Sequence, residues 1–149
     1  FTLQVLYESF LDSGRTYISG ETILSAESNE GLTLSLISES LEILEHQGYI
    51  EQLKHLGPGP YHARIQTYGV STMLGNDESA LLQKVGFCLT NDGMTDCAEI
   101  AAATGVVFPL VDHAIKCLEG QGLVKAVRAM GGVTFVHYVN PMLRRALSQ

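Results

Sequence analysis

The chain has 149 residues, 46% of them hydrophobic and 17% charged, with a net charge of −7 and a mean hydropathy of +0.15. No apolar run reaches the roughly 18–20 residues of a membrane span, and no signal-peptide pattern opens the chain, so it reads as cytoplasmic, although its start at Phe1 leaves room for a segment upstream. Residues 1–78 hold 11 acidic against 3 basic side chains, and residues 79–149 hold 5 against 6; phosphate neutralisation supplies most non-specific nucleic-acid affinity, so the first half is a poor polyanion binder and the second is neutral ground.

In chain order, residues 3–13 carry apolar side chains at 3, 6, 7, 10 and 11, a helical stripe that Gly14 stops. Ser19 is placed to cap a short helix through about Ala26, with Thr22 standing where a capping box has its acidic partner. After Gly31-Leu32, a longer helix is expected from about Thr33 to Gln47, with Leu34, Ile37, Leu41 and Leu44 in step. Tyr49–Leu53 and Tyr61–Tyr68 read as the two strands of a hairpin around the turn Gly57-Pro58-Gly59-Pro60. Residues 70–78 (VSTMLGNDE) read as a linker, which divides the chain into residues 1–75 and 76–149.

The order then recurs. A helix is expected from about Glu78 to Leu89, a turn at Thr90–Gly93, and a short alanine-rich helix capped by Thr95 and running to about Thr104. Phe108 to Gln121 forms the longer helix, with Pro109 tolerated in its first turn. Strands at about Leu123–Ala129 and Thr134–Val139 flank the turn Met130-Gly131-Gly132, and Pro141 opens a last helix. Cys88, Cys97 and Cys117 are odd in number and lack CxxC spacing, so they read as reduced, mostly buried thiols.

The recurrence is legible residue by residue. Leu44-Glu45-His46-Gln47-Gly48-Tyr49-Ile50 returns 74 positions later as Leu118-Glu119-Gly120-Gln121-Gly122-Leu123-Val124, and Ile37 and Leu41 match Val111 and Ile115 without a gap. A duplication of this length says that the chain is two copies of one small fold. Domains of this size build thin cores, so apolar surface is left for another element or another chain to cover.

Helix, helix, turn, helix and a two-stranded ribbon is the order of a winged helix-turn-helix. The segment from Thr95 to Val106, with Ala98, Ala101–Ala103 and Gly105, resembles the helix-turn segment of many bacterial and archaeal winged-helix regulators. Val111, Ile115, Leu118-Glu119 and Gly122-Leu123-Val124 look like their recognition helix and first wing strand. The resemblance implies an α+β, mainly helical chain of two tandem winged-helix domains, each with three helices and a ribbon wing. It covers about 60 residues of the second copy; in the first, the second helix lacks the alanine-rich run and rests on the internal repeat.

In such folds the recognition helix presents its N-terminal residues to base edges. With the core stripe removed, the outward positions here are Thr33, Leu34, Ser35, Leu36, Ser38, Glu39 and Glu42 in the first copy. In the second they are Val107, Phe108, Pro109, Leu110, Asp112, His113 and Lys116. Hydrogen-bonding and basic residues usually stand at such places; here both copies put bulky apolar residues at the same two, Leu34 with Phe108 and Leu36 with Leu110. These side chains either complete the domain cores, form a surface for another chain, or touch DNA directly.

Taken with the acidic Glu39 beside them, Leu34, Leu36, Phe108 and Leu110 point to docking of a protein partner or a homodimer mate. The protein is therefore expected to be a non-enzymatic regulator or adaptor working through protein contacts. The alternative is a DNA-binding transcriptional regulator that works as a dimer through its wings and second recognition helix, with Lys54, Arg64, Lys125 and Arg128 on the wings, His113 and Lys116 on that helix, and Thr33, Ser35 and Ser38 on the first. His55 and His62 are placed to face each other across the first hairpin, but no third metal ligand accompanies them, and neither a cofactor nor a small-molecule site is expected. Arg144 and Arg145 read as a solvated end of the last helix or as a complement to its terminal charge. No GxSxG, HExxH or phosphate-cradling glycine loop is present in the sequence, so no catalytic residue is assigned.

Overall fold

A computed structural model describes residues 1–14, 16–26, 33–55, 57, 59–129 and 133–147. The chain is α+β and mainly helical, and it divides into two compact units, Phe1–Met73 and Leu74–Gln149. The first is built from α1 (Thr2–Ser13), α2 (Gly20–Ser25), α3 (Leu34–His46), β1 (Ile50–Leu53), β2 (His62–Ile65) and α4 (Thr67–Leu74). The second contains α5 (Asp77–Thr90), α6 (Cys97–Thr104), α7 (Phe108–Gly120), β3 (Val124–Ala129), β4 (Val133–Val139) and α8 (Met142–Leu147). Each unit thus runs three helices, an antiparallel strand pair and a closing helix. Among the described residues no single helix is long and apolar enough to cross a membrane.

The 74-residue offset survives as backbone geometry. Both long helices end with a glycine at positive φ, Gly48 at 84° and Gly122 at 74°. The amide of Tyr49 donates to the Leu44 carbonyl at 3.0 Å and that of Leu123 to Leu118 at 3.0 Å. The Gly48 and Gly122 amides donate to Glu45 and Glu119 at 3.0 and 2.9 Å. This double bond pattern is a Schellman stop, which needs a residue able to adopt the left-handed region. Beyond it, Gln66 donates to the Tyr49 carbonyl and Asn140 to that of Leu123, so each ribbon closes at the matching residue. A single-residue bridge precedes the second helix in each unit, Ile18 with Ala63 and Asp96 with Phe135.

Local chemistry explains the helix starts. The Ser19 hydroxyl accepts from the Thr22 amide at 3.1 Å, and Thr33 does the same for Leu36 at 3.2 Å. The cap of α6 is Asp96, whose Oδ1 accepts from the Ala98 amide at 2.9 Å, and not Thr95, whose carbonyl instead accepts from Val136 of β4. The stretch read as a linker, 70–78, is mostly helix: α4 runs to Leu74 and α5 starts at Asp77. Its Gly, Ser, Asn and Asp content suggests loop, but Gly69 and Val70 are buried in the first unit, and that packing overrides the weak local preference. Residues 31–32 and the turn at 130–132 lie outside the described residues, as does Pro58 of the first hairpin turn.

The core of the first unit contains Leu6, Phe10, Ile23, Ile37, Leu41, Ile50, Ala63, Ile65 and Val70. That of the second joins Leu81, Val85, Ile100, Val111, Ala114, Ile115, Leu118, Val124, Val136 and Leu143. Cys88 and Cys97 are buried there as free thiols and Cys117 is half-buried; desolvation pushes Cys97 up to about 12, which keeps it protonated and inert.

Candidate interaction surfaces

In the first unit α3 buries only Ile37 and Leu41, and its N-terminal turn stands open. Leu34 is 38% and Leu36 44% exposed, and Ile43, two turns on, is 58% exposed. Leu34 also walls a cleft of about 420 Å³ that it shares with Ser19, Glu21, His55, Pro60 and His62. Thr33 is occupied as the helix cap, Ser35 and Glu39 are exposed, and Ser38 is half-buried beneath the hairpin turn. A Cβ on Gly59 would lie 2.6 Å from the Ser38 hydroxyl, so the turn closes over that side chain. Ser38 therefore does not present an open hydrogen-bonding group to a groove.

The equivalent helix of the second unit is packed differently. Five residues of α7 are buried, Val111, His113, Ala114, Ile115 and Leu118. At the positions of His113 and Ala114 the first copy has Glu39 and Ser40. The longer α5 lies along α7 more extensively than α1 along α3, and it covers the flank that the first unit leaves polar. Phe108 and Leu110 are half-buried against the second unit's core, and they do not match the exposure of Leu34 and Leu36. The expected pairing of docking faces breaks at this point; only Val107, the cap residue, is left 45% exposed.

His113 is likewise not outward-facing. It is 3% exposed, with Nε2 at 3.3 Å from Oε2 of Glu78 on α5 and 3.5 Å from Sγ of Cys117 one turn along α7. Burial pushes its pKa below the ordinary imidazole range, against the opposite pull of the Glu78 carboxylate, which leaves it neutral.

The cations assigned to nucleic acid are mostly held by carboxylates of their own unit. Lys54 Nζ lies 3.2 Å from Glu45 Oε1, while the Gln52 amide and side chain donate to the same carboxylate at 2.9 and 3.2 Å. Burial alone would raise the Glu45 pKa, but these three donors outweigh it and hold it below the usual range. Arg64 donates through Nε and Nη2 to Glu51 Oε2 at 3.0 and 2.8 Å, and its guanidinium lies over the Tyr17 ring at 4.7 Å.

In the second unit Asp112 gathers Lys116 at 3.6 Å, Arg128 Nε at 3.3 Å and the buried Thr134 hydroxyl at 3.2 Å. Arg128 Nη2 reaches on to Glu119 at 2.7 Å. These contacts lock the inner face of the β3–β4 ribbon onto α7. Lys125 points the other way and lies over the Tyr138 ring at 5.6 Å.

That outer ribbon face went unread in the sequence. Val127 and Phe135 are cross-strand partners, 54% and 43% exposed, and Val133 and Tyr138 flank them at 37% and 44%. The signal was present: Val127, Val133, Phe135 and Tyr138 stand at positions where a strand with only one covered face should carry polar residues. His55 and His62 do not form the cross-hairpin pair, since His62 is opposite Leu53 and His55 sits edge-on to Tyr61 at 4.8 Å. No protein-family model matches the chain, and a search of curated proteins finds no match to it.

Proposed function

We propose that the chain is a tandem winged-helix protein that acts without catalysis, as a regulator or adaptor, by docking protein on exposed apolar surface and not by reading duplex DNA. One observation carries this reading. Four of the cations that a DNA reader would offer, Lys54, Arg64, Lys116 and Arg128, are engaged by carboxylates of the same unit, while the bulky side chains left open at the reading positions of α3 are Leu34 and Leu36. Freeing Arg64 or Arg128 for a phosphate would break charge-assisted hydrogen bonds already made. Glu39 and Glu42 on the open face of α3 would repel the backbone. Exposed apolar clusters of this kind usually mark interfaces, and the outer ribbon face of the second unit adds another. The repeated element order, with its bridge before the second helix and its ribbon after the third, supports the winged-helix assignment of both units.

Self-association is the contact to test first. Light scattering after size exclusion should give a mass above 16.1 kDa for the chain, and the variant carrying Leu34→Glu with Leu36→Glu should return to one chain mass with its circular dichroism unchanged. A monomer at every concentration, together with micromolar or tighter binding to random duplex and a steep salt dependence, would replace this reading with the DNA-binding one.

A further inference from the structure

Glu78, His113 and Cys117 bring a carboxylate, an imidazole and a thiol together in the second unit, with the three donor atoms all within 4.8 Å of one another. His113 and Cys117 are one turn apart on α7 and so share a face of that helix. Glu78 meets them from the first turn of α5.

The spacings have a chemical meaning. Zinc bonds of about 2.0–2.1 Å to nitrogen, about 2.0–2.2 Å to carboxylate oxygen and about 2.3 Å to sulfur give tetrahedral edges of about 3.3–3.5 Å between N and O and about 3.5–3.6 Å between N and S. Here the two edges that meet at His113 Nε2 are 3.3 Å to Glu78 Oε2 and 3.5 Å to Cys117 Sγ.

A cation between the three would be bonded by one lone pair each from the carboxylate, the imidazole and the thiolate.

We propose that Glu78, His113 and Cys117 form a binding site for a zinc-like divalent cation, with the remaining position open on the solvent side of Glu78. The carboxylate and a thiolate supply two negative charges and the neutral imidazole none, which balances a divalent ion. On binding, the Cys117 S–H bond breaks, a sulfur–metal bond forms and one proton passes to solvent. The mixed nitrogen, oxygen and sulfur donor set suits zinc above calcium or magnesium. His113 is enclosed, while the Glu78 side chain is 24% exposed and Cys117 is half-buried, so the ion has a way in. Such an ion would pin α7 to α5 and add its binding energy to the stability of the second unit. The inference stands independently of the docking reading.

The test is titration of the full chain with cobalt(II), followed by displacement with zinc. The expected result is one ion per chain, a thiolate-to-cobalt charge-transfer band with tetrahedral visible bands, and release of about one proton per ion. Cys117→Ser should abolish the charge-transfer band. Glu78→Gln, which replaces a ligand carboxylate, should weaken binding by more than about 100-fold, the upper end of what loss of a supporting outer residue costs. Both side chains are partly exposed, so both variants should keep the wild-type circular dichroism. Absence of the bands in excess cobalt would overturn the site, and so would bands undiminished in both variants, which would place the ion on other residues.

Discussion

Asp112 is the point at which α7, the second ribbon and the charge balance of the second unit meet, and its removal makes a quantitative test. Three groups depend on it: Arg128 at 3.3 Å, Lys116 at 3.6 Å and the Thr134 hydroxyl at 3.2 Å. Arg128 is 35% and Lys116 26% exposed, so water screens both pairs, and each contributes about 0.3–1 kcal/mol. Thr134 is 3% exposed, and stranding its donor costs about 1–2 kcal/mol, since a hydroxyl can turn toward another acceptor. Asp112→Ala should therefore lower the stability of the second unit by about 2–3 kcal/mol, whereas Asp112→Asn, which keeps an acceptor for Thr134, should cost about 1 kcal/mol. Urea denaturation followed by a signal from each unit is the assay, and the transition of the first unit should not move. An alanine effect below about 0.5 kcal/mol would refute the reasoning, because the network would then be an ordinary solvated surface. Equal costs for Ala and Asn would refute the larger share given to Thr134. The same variant probes function: it removes the Asp112 carboxylate from beside Lys116 and Arg128, the latter keeping its bond to Glu119, and shifts the net charge from −7 to −6, yet duplex affinity should stay weak if protein docking is the activity.

The divergence of the two copies predicts opposite outcomes for matching substitutions. Leu36→Ser should change stability by less than about 0.5 kcal/mol, while Phe108→Ser, at a side chain packed on the core, should cost about 2–3 kcal/mol in thermal or chemical denaturation. Gly69→Ala should destabilise the first unit by about 1–3 kcal/mol. The new Cβ would collide with the Tyr49 carbonyl oxygen, which is fixed by its bond from Gln66, and would lie 2.7 Å from Ile65. Glu45 has a folded pKa held below 4.5, so the stability it contributes is present above about pH 4.5 and is lost as the pH falls through the lower folded value. Glu45→Gln should flatten the acid limb of the first unit's pH–stability curve, and an unchanged curve would show that its three donors do not bind the carboxylate in solution.

The local grammar of this protein is written in its sequence. The Gly48 and Gly122 helix stops and the Ser19 and Thr33 caps depend on residues within a few positions of one another, and the 74-residue recurrence shows the stops twice. A period also tells which side chains share a face of one element, as it did for Ile37 with Leu41 and for Val111 with Ile115. It does not tell what lies against the other faces. The α5 helix lies along α7 and its Glu78 meets the buried His113, Phe108 and Leu110 pack against the core of the second unit, and Leu34 and Leu36 of α3 are left to solvent. The pairs of Arg128 with Asp112, Arg64 with Glu51 and Lys54 with Glu45 belong to the same class, since each joins side chains from different elements brought together by packing. So do the three donors at Glu78, His113 and Cys117: two are one helical turn apart and visible as such, but the third arrives from 35 residues away. Sequence alone determined the repeat and its turns, because short-range hydrogen bonds and backbone conformations are local. Only the tertiary structure decided which copy's apolar residues are surface and which cations are spent, because burial and pairing depend on what the rest of the chain places alongside.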